Sequence, residues 1–294
     1  MTRHPGFSLS LLVVSTMACS DPPDDLGVDG GPDPDGYAPL IAGDWTLAPG
    51  TEAYRCVRWT APGDLLLAAV RPVAPSGTHH VVLMVGSPDA PDGDRECTSA
   101  LEQPIVYGAG LGTDPYVLPD GVAIKVLAGQ QLLLNLHLYN ASSEPLSGRS
   151  GVDAVTVTPD RVTHEAGVVL AGKADGLTVD VGRTTQTGTC TAPGPSTVFG
   201  LVPHMHQLGV HMTVTHQSAA GARTLLDEDF AFDRQLVHPI APVVDVTRGD
   251  RLVVECTYVN STGRTVTFGE SSEAEMCFAV LYVYPPPAGV QCTR

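Results

Sequence analysis

The chain has 294 residues, 43% hydrophobic and 16% charged, with a formal net charge of −16 at pH 7. That is enough apolar matter for a sizeable core, which excludes a globally disordered chain. The acidic balance, with lysine only at Lys125 and Lys173, excludes a nucleic-acid partner, because a polyanion is bound by exchanging its counterions for Lys and Arg.

The chain begins with a weakly basic Arg3-His4, a short apolar run Phe7–Val14 and small residues Ser15 to Ala18. This is the pattern of a secretory signal peptide over residues 1–19. Cys19, directly after a small residue, resembles a bacterial lipoprotein cleavage site, so Cys19 is the expected lipidation point and sole membrane attachment. No later apolar run reaches the ~18 residues of a membrane-spanning helix. Residues 20–39 read as an acidic tether: Ser20–Gly36 holds six aspartates, four prolines, four glycines and no basic residue. The expected location is the cell envelope, the outer surface or the medium.

Export makes the six remaining cysteines informative. Cys56, Cys97, Cys190, Cys256, Cys277 and Cys292 are an even set with no C-x-x-C pair, which favours three disulfides over a metal cage. Many pairings satisfy the count. If the halves are separate domains, Cys56–Cys97 is the natural pairing in the first.

Runs rich in β-formers follow one another between Pro/Gly/Asp clusters: Leu65–Val73, His79–Val85, Val122–Leu127, Gln131–Tyr139 and Val152–Thr158. A second series covers Leu177–Val181, Thr197–Leu201, Gly209–Thr215, Arg223–Leu226, Arg251–Val259, Thr265–Phe268 and Met276–Tyr284. No stretch carries a capped helical period, and no internal repeat recurs at a period of roughly 20–50 residues. The fold class is all-β, as two tandem, disulfide-bearing β-sandwich (jelly-roll-like) domains over residues 40–160 and 161–294. The boundary falls between Pro159 and Gly172.

Histidines carry the chemistry. His204 and His206, two apart on a predicted strand, share one face and project two imidazoles side by side. His79 and His80 are adjacent, so they reach one ion only at a strand end or twist, and Gly77 supplies that freedom. His137 lies in an otherwise apolar strand. No carboxylate cluster accompanies them, which argues against Ca or Mg and for Zn, Cu, Ni or Fe. The residues after His206 lack the glutamate of a cupin site, and no hydrolase triad signal is present. His164, His211, His216, His238, Met84, Met205 and Met212 read as ordinary structural side chains.

The order Tyr54-x-Cys56, His79-His80, His137, His204-x-His206 with Leu208-Gly209, and Glu275-Met276-Cys277 resembles the copper type II, ascorbate-dependent monooxygenases. The resemblance covers the body from about residue 40 onward. It implies two copper ions. His79, His80 and His137 match an all-histidine electron-transfer site. His204, His206 and Met276 match the site where oxygen binds and a substrate C–H bond is attacked; these three are the expected catalytic residues. Tyr54 matches a tyrosine near the first site. The family pairings imply Cys56–Cys97, Cys190–Cys292 and Cys256–Cys277. The implied co-reactants are O₂ and ascorbate or another one-electron reductant, and the implied partner is a small-molecule or peptide-like substrate.

The match departs from the peptide-hydroxylating members. Val202 stands where those enzymes hold a peptide carboxylate with arginine, and Val280 where they contact substrate with tyrosine. A glycine-extended peptide is therefore not the expected substrate. The expected chain is a minimal catalytic core on a tether. Two other readings share these residues: a surface lipoprotein that stores, delivers or senses copper without oxygenating anything, and a structural disulfide-linked protein with incidental histidines. They separate on turnover and on metal binding.

Overall fold

The computed structural model describes Met1 and residues 33–87, 90–98, 104–110 and 112–287, with the backbone alone of 291–293. Cys19, the rest of the expected signal segment and residues 20–32 of the tether lie outside these.

The first half contains β1 (Ala38–Leu47), β2 (Glu52–Thr60), β3 (Leu65–Val73), β4 (Thr78–Val85), β5 (Gly93–Glu96), β6 (Ile105–Gly110), β7 (Tyr116–Val117), β8 (Val122–Val126), β9 (Gln131–Tyr139) and β10 (Leu146–Thr156). The second contains β11 (His164–Lys173), β12 (Thr178–Val179), β13 (Gly182–Thr191), β14 (Ser196–His204), β15 (Gly209–Ser218), β16 (Gly221–Asp229), β17 (His238–Val246), β18 (Arg251–Asn260), β19 (Val266–Thr267), β20 (Cys277–Tyr284) and β21 (Gln291–Thr293). Among the described residues the only helical turn is 3-10, Pro159–Arg161.

Each half is a sandwich of two sheets. In the first, β1-β10-β3-β8 faces β5-β2-β9-β4-β6; in the second, β11-β20-β14-β17 faces β13-β18-β15-β16. The first core brings Leu67 and Val70 of one sheet against Leu83 and Leu134 of the other. The second brings Leu201 and Leu281 against Val214 and Val254. Side chains alternate along each strand, so β9 sends Leu132, Leu134, Leu136 and Leu138 into the first core and turns Leu133, Asn135 and His137 the other way.

The stretch read as a connector is a central strand. β11 pairs in parallel with β8 over His164–Ala166 and antiparallel with β20 over Gly167–Lys173, so one sheet runs through both halves.

The halves also correspond strand for strand: β2-β9-β4-β6 matches β13-β18-β15-β16, and β1-β10-β3-β8 matches β11-β20-β14-β17. The turns after β9 and β18 are built alike. Asn140, 0% exposed, donates to the Ala48 and Glu144 carbonyls and accepts from Ser142. Asn260, 2% exposed, donates to the Val179 and Arg264 carbonyls and accepts from Thr262. Both fit the N-x-S/T glycosylation pattern, yet their side-chain nitrogens are already committed inside the protein. Intact-mass analysis after expression in a glycosylating host is expected to find neither modified. Asn140→Ala strands several buried carbonyls and is expected to lower stability by about 2 kcal/mol or more in urea denaturation.

Disulfides join Cys56 to Cys97 and Cys256 to Cys277. Cys190 is disulfide-bonded as well, and the side chain of Cys292 lies outside the described residues. Such bonds persist in oxidising compartments, which accords with an extracellular or secreted protein.

Candidate metal centres

The first cluster stands on β4 and β9. His80 pairs with His137, but the register slips between Thr78 and His80, so His79 sits in a bulge. A bulge re-aims a side chain, and here it lets adjacent histidines face the same way. Gly77 precedes it with φ +100°, and a Cβ there would lie 2.5 Å from the Trp45 ring. Gly77→Ala is therefore expected to cost about 1–3 kcal/mol in urea denaturation.

Three ring nitrogens converge. His79 Nδ1 lies 3.1 Å from His80 Nδ1, which lies 3.4 Å from His137 Nδ1. All three ligand atoms fall within 4.8 Å of one another. A first-row ion held at roughly 2.0 Å in tetrahedral directions spaces its nitrogens by about 3.3 Å, so the cluster fits one. Burial pushes the His79 imidazole down to about 4, helped by His137, and holds His80 and His137 below their usual range. The rings are thus neutral near pH 7 and offer lone pairs. His137 Nε2 donates to Glu52, which leaves its Nδ1 free for a cation. Tyr54 stacks on His137 with centroids 4.4 Å apart and 3° between planes. Burial, with Glu52 and Glu270 nearby, pushes its hydroxyl up to about 12.

The second cluster forms where β14 ends. His204 is the last strand residue; Met205 and His206 lie beyond it, and the chain turns through His206–Gly209. The expected side-by-side pair on a regular strand is instead a strand end plus a turn. The two rings sit 5.4 Å apart at 89°, aimed across each other. His204 Nδ1 donates to Gln235 Oε1 at 2.7 Å, and His206 Nδ1 donates to the Ala274 carbonyl at 3.0 Å. Each bond fixes a tautomer and leaves Nε2 as the free donor atom. Burial pushes His206 down to about 3 and lowers His204 as well.

Met276, 1% exposed, lines the same cavity as both imidazoles. Glu275, 0% exposed, grips the turn from inside: one oxygen accepts from the His206 N–H at 3.0 Å, the other from the Leu208 N–H at 2.7 Å. Burial pushes this carboxyl up to about 7, while the backbone N–H bonds pull it down. Tyr258 donates its hydroxyl to the Met276 carbonyl at 2.7 Å. Two neutral imidazoles and a thioether form a soft donor set that suits Cu(I).

Both clusters open on one cavity of about 270 Å³ between the two halves. Phe232 stands between them, 4.8 Å from the His79 ring and 6.2 Å from the His206 ring. Those distances cap the separation of the two imidazole centroids at 11.0 Å.

The remaining described histidines have local partners. His211 bonds Asp227 and Asp229, His216 bonds Asp250, His238 bonds Glu228, and His164 stacks on Tyr284. His211 uses different nitrogens for its two aspartates, so that group does not converge on a point. Sequence reasoning missed Glu52, Phe232 and Gln235, and it quoted Glu275 without giving it a role. Only Glu52 carried a signal: Glu52 and Tyr54 alternate onto one face of a strand.

Residues 164–294 match the family described as copper type II ascorbate-dependent monooxygenase, C-terminal domain. A Drosophila melanogaster protein named MOXD1 homolog 1 is 26% identical over 196 residues, which are 60% of this chain and 28% of that protein. A Homo sapiens protein described as DBH-like monooxygenase protein 2 is 25% identical over 233 residues, 70% of this chain and 47% of that protein. The chain thus spans less than half the length of these relatives. Among solved structures, a protein from Eubacterium rectale described as secreted aligns over 87% of this chain and 70% of its own at 9% identity; its TM-score of 0.23 carries no argument. The matched C-terminal residues are those that bear His204, His206 and Met276, and both relatives point the same way: the second half of the chain is similar to the C-terminal domain of the copper type II ascorbate-dependent monooxygenases.

Proposed function

We propose that the protein is a copper-dependent monooxygenase that hydroxylates a substrate C–H bond with O₂ and an external one-electron reductant, ascorbate or another. One observation carries this reading: a three-histidine cluster and, apart from it, the His204–His206 pair line a single cavity that Met276 also lines. His79, His80 and His137 would hold one copper, and His204, His206 and Met276 the other. Bound copper supplies the one-electron chemistry toward O₂ that side chains lack. The overall change balances as R–H + O₂ + 2 e⁻ + 2 H⁺ → R–OH + H₂O, with two reductant molecules each giving one electron.

The chain's own residues orient the ligand rings. Glu52 holds the His137 ring, Gln235 holds the His204 ring, the Ala274 carbonyl holds the His206 ring, and Phe232 packs against the His79 and His206 rings. Glu275 needs two acceptor oxygens for its two N–H partners. Glu275→Gln replaces one of them with a donor and is expected to weaken copper binding at the thioether site by about 10-fold or more, with the all-histidine site unchanged. Titration against a competing chelator measures both.

The test of function is ¹⁸O₂ labelling. The two-copper protein with ascorbate is incubated with a small-molecule extract of the growth medium. One ¹⁸O atom in an organic product, absent in a Met276→Ala variant, supports oxygenation. Two bound coppers with no label in any product would leave a copper carrier instead. We further propose lipidation at Cys19; Cys19→Ser should then move the protein from the membrane fraction to the soluble one.

A further inference from the structure

The cavity has two facing walls, set by strand register. On one, Val202 pairs with Val280 and His204 with Phe278, so β14 and β20 present a valine pair one step from the thioether-site histidine. On the other, Val82 pairs with both Asn135 and Gly108, one step from the His80–His137 pair. Gly108 has no neighbour within 4 Å of where a Cβ would stand, which leaves that wall flat and open. Among the described lining residues there is no lysine or arginine; the charged groups that reach it are the carboxylates Asp233 and Glu270. Asp233 is exposed, so its charge belongs to the mouth rather than the interior.

We infer that this slot takes an uncharged, predominantly apolar small molecule, seated between Val82 and the Val202–Val280 pair, and rejects carboxylates. As a statement about substrate it rests on the monooxygenase reading; as a statement about binding it does not. In the metal-free chain an anion in the slot would lose its hydration against valine walls, find no lysine or arginine, and face two carboxylates, exposed Asp233 and half-buried Glu270. A cation would lose its hydration likewise against the valine walls. A neutral apolar molecule gives up little and gains the walls' burial. The walls lie beside both clusters, so a molecule seated there places its C–H bonds next to the donor atoms of His204 and His206.

Three probes of one shape isolate charge: 1-naphthalenemethanol, 1-naphthoate and 1-naphthylmethylammonium. Ligand-observed NMR titration of the metal-free full chain reads their affinities. The alcohol is expected to bind at least about tenfold more tightly than either ion. Val280→Trp, filling the slot from one wall, and Val82→Trp, filling it from the other, should each weaken the alcohol at least tenfold while the protein still binds two coppers. Val202→Arg should reverse the order of alcohol and naphthoate. Equal or tighter binding of naphthoate or of the ammonium to the unaltered protein overturns the inference. So does alcohol binding that survives both tryptophan variants in folded protein. Selective binding without oxygen transfer to any neutral compound breaks the monooxygenase reading alone; oxygen transfer to a carboxylate breaks this inference alone.

Discussion

His80→Ala is expected to cut the copper content from two ions per chain to one and turnover by more than ~100-fold, since even the partners behind metal ligands cost 10–100-fold when lost. His80 is the vertex of its cluster, with its Nδ1 facing both His79 at 3.1 Å and His137 at 3.4 Å. Removing it leaves two imidazoles that no longer enclose a point. The metal-free protein should barely notice. Its three rings are desolvated, and the change removes only the ring-nitrogen contacts of His80 to His79 and His137. The expected metal-free Tm lies within about 4 °C of the parent, a shift of roughly 1 kcal/mol for this size. Copper should therefore raise Tm less in the variant than in the parent. Elemental analysis and thermal scans with and without copper check both halves. His211→Ala, which touches only its aspartates, is the matched control and should keep two ions. Retention of two ions by His80→Ala would remove the three-histidine site.

The histidine motifs were legible because each is short and its consequence local. What made them a site was not. His79 and His80 face one way only because β4 slips by one residue against β9, and that slip belongs to a pairing across 57 residues. Glu52 reaches His137 because Glu52 pairs with Tyr139 and Tyr54 with His137, which makes Glu52 and His137 diagonal neighbours. No local pattern encodes that register. Phe232 lies outside any strand, and its place between the clusters follows from how the two halves share a sheet.

The strands divide in the same way. Leu65–Val73 and Gln131–Tyr139 are read to the residue, because both are apolar runs bounded by turn residues. β2 is missed because its alternation Arg55, Val57, Arg58 mixes charge into a half-exposed strand. β11 is missed because its burial comes from neighbours on both sides, β8 and β20, rather than from a pattern of its own. The duplication of the halves has a period of a whole domain, longer than any tandem motif. Its clearest trace is the pair of turns at Asn140–Ser142 and Asn260–Thr262. The duplication also shows what is not repeated. Three residues before each asparagine stand His137 and Thr257, and their strand partners are His80 and His211. The second half thus has threonine where the first has His137, and its own histidine pair sits instead at the end of β14.

That placement explains the second large effect. Cys256→Ala with Cys277→Ala is expected to cost about 3 kcal/mol, the chain-entropy value for a loop of 21 residues. It should also weaken copper at the thioether site more than tenfold, a loss that general destabilisation does not predict. Met276 precedes β20 and has no strand hydrogen bonds of its own to hold it. It is pinned by what flanks it: the Cys256–Cys277 bond on one side, the Glu275 clamp on the other, and the Tyr258 hydroxyl on its carbonyl. Cys256 and Tyr258 both lie on β18, so this one strand sets where the thioether stands. Opening the disulfide frees the segment on one side and enlarges the set of positions the sulfur visits. The comparison is Cys56→Ala with Cys97→Ala, which closes a loop of 41 residues and by the same relation costs about 4 kcal/mol. That pair lies in the first half, away from Met276, and its loss should leave the thioether site intact. If both double variants lose copper equally from both sites, stability alone explains the loss. If only the Cys256 and Cys277 pair loses it, and only from the site of Met276, the disulfide is the device that positions the sulfur.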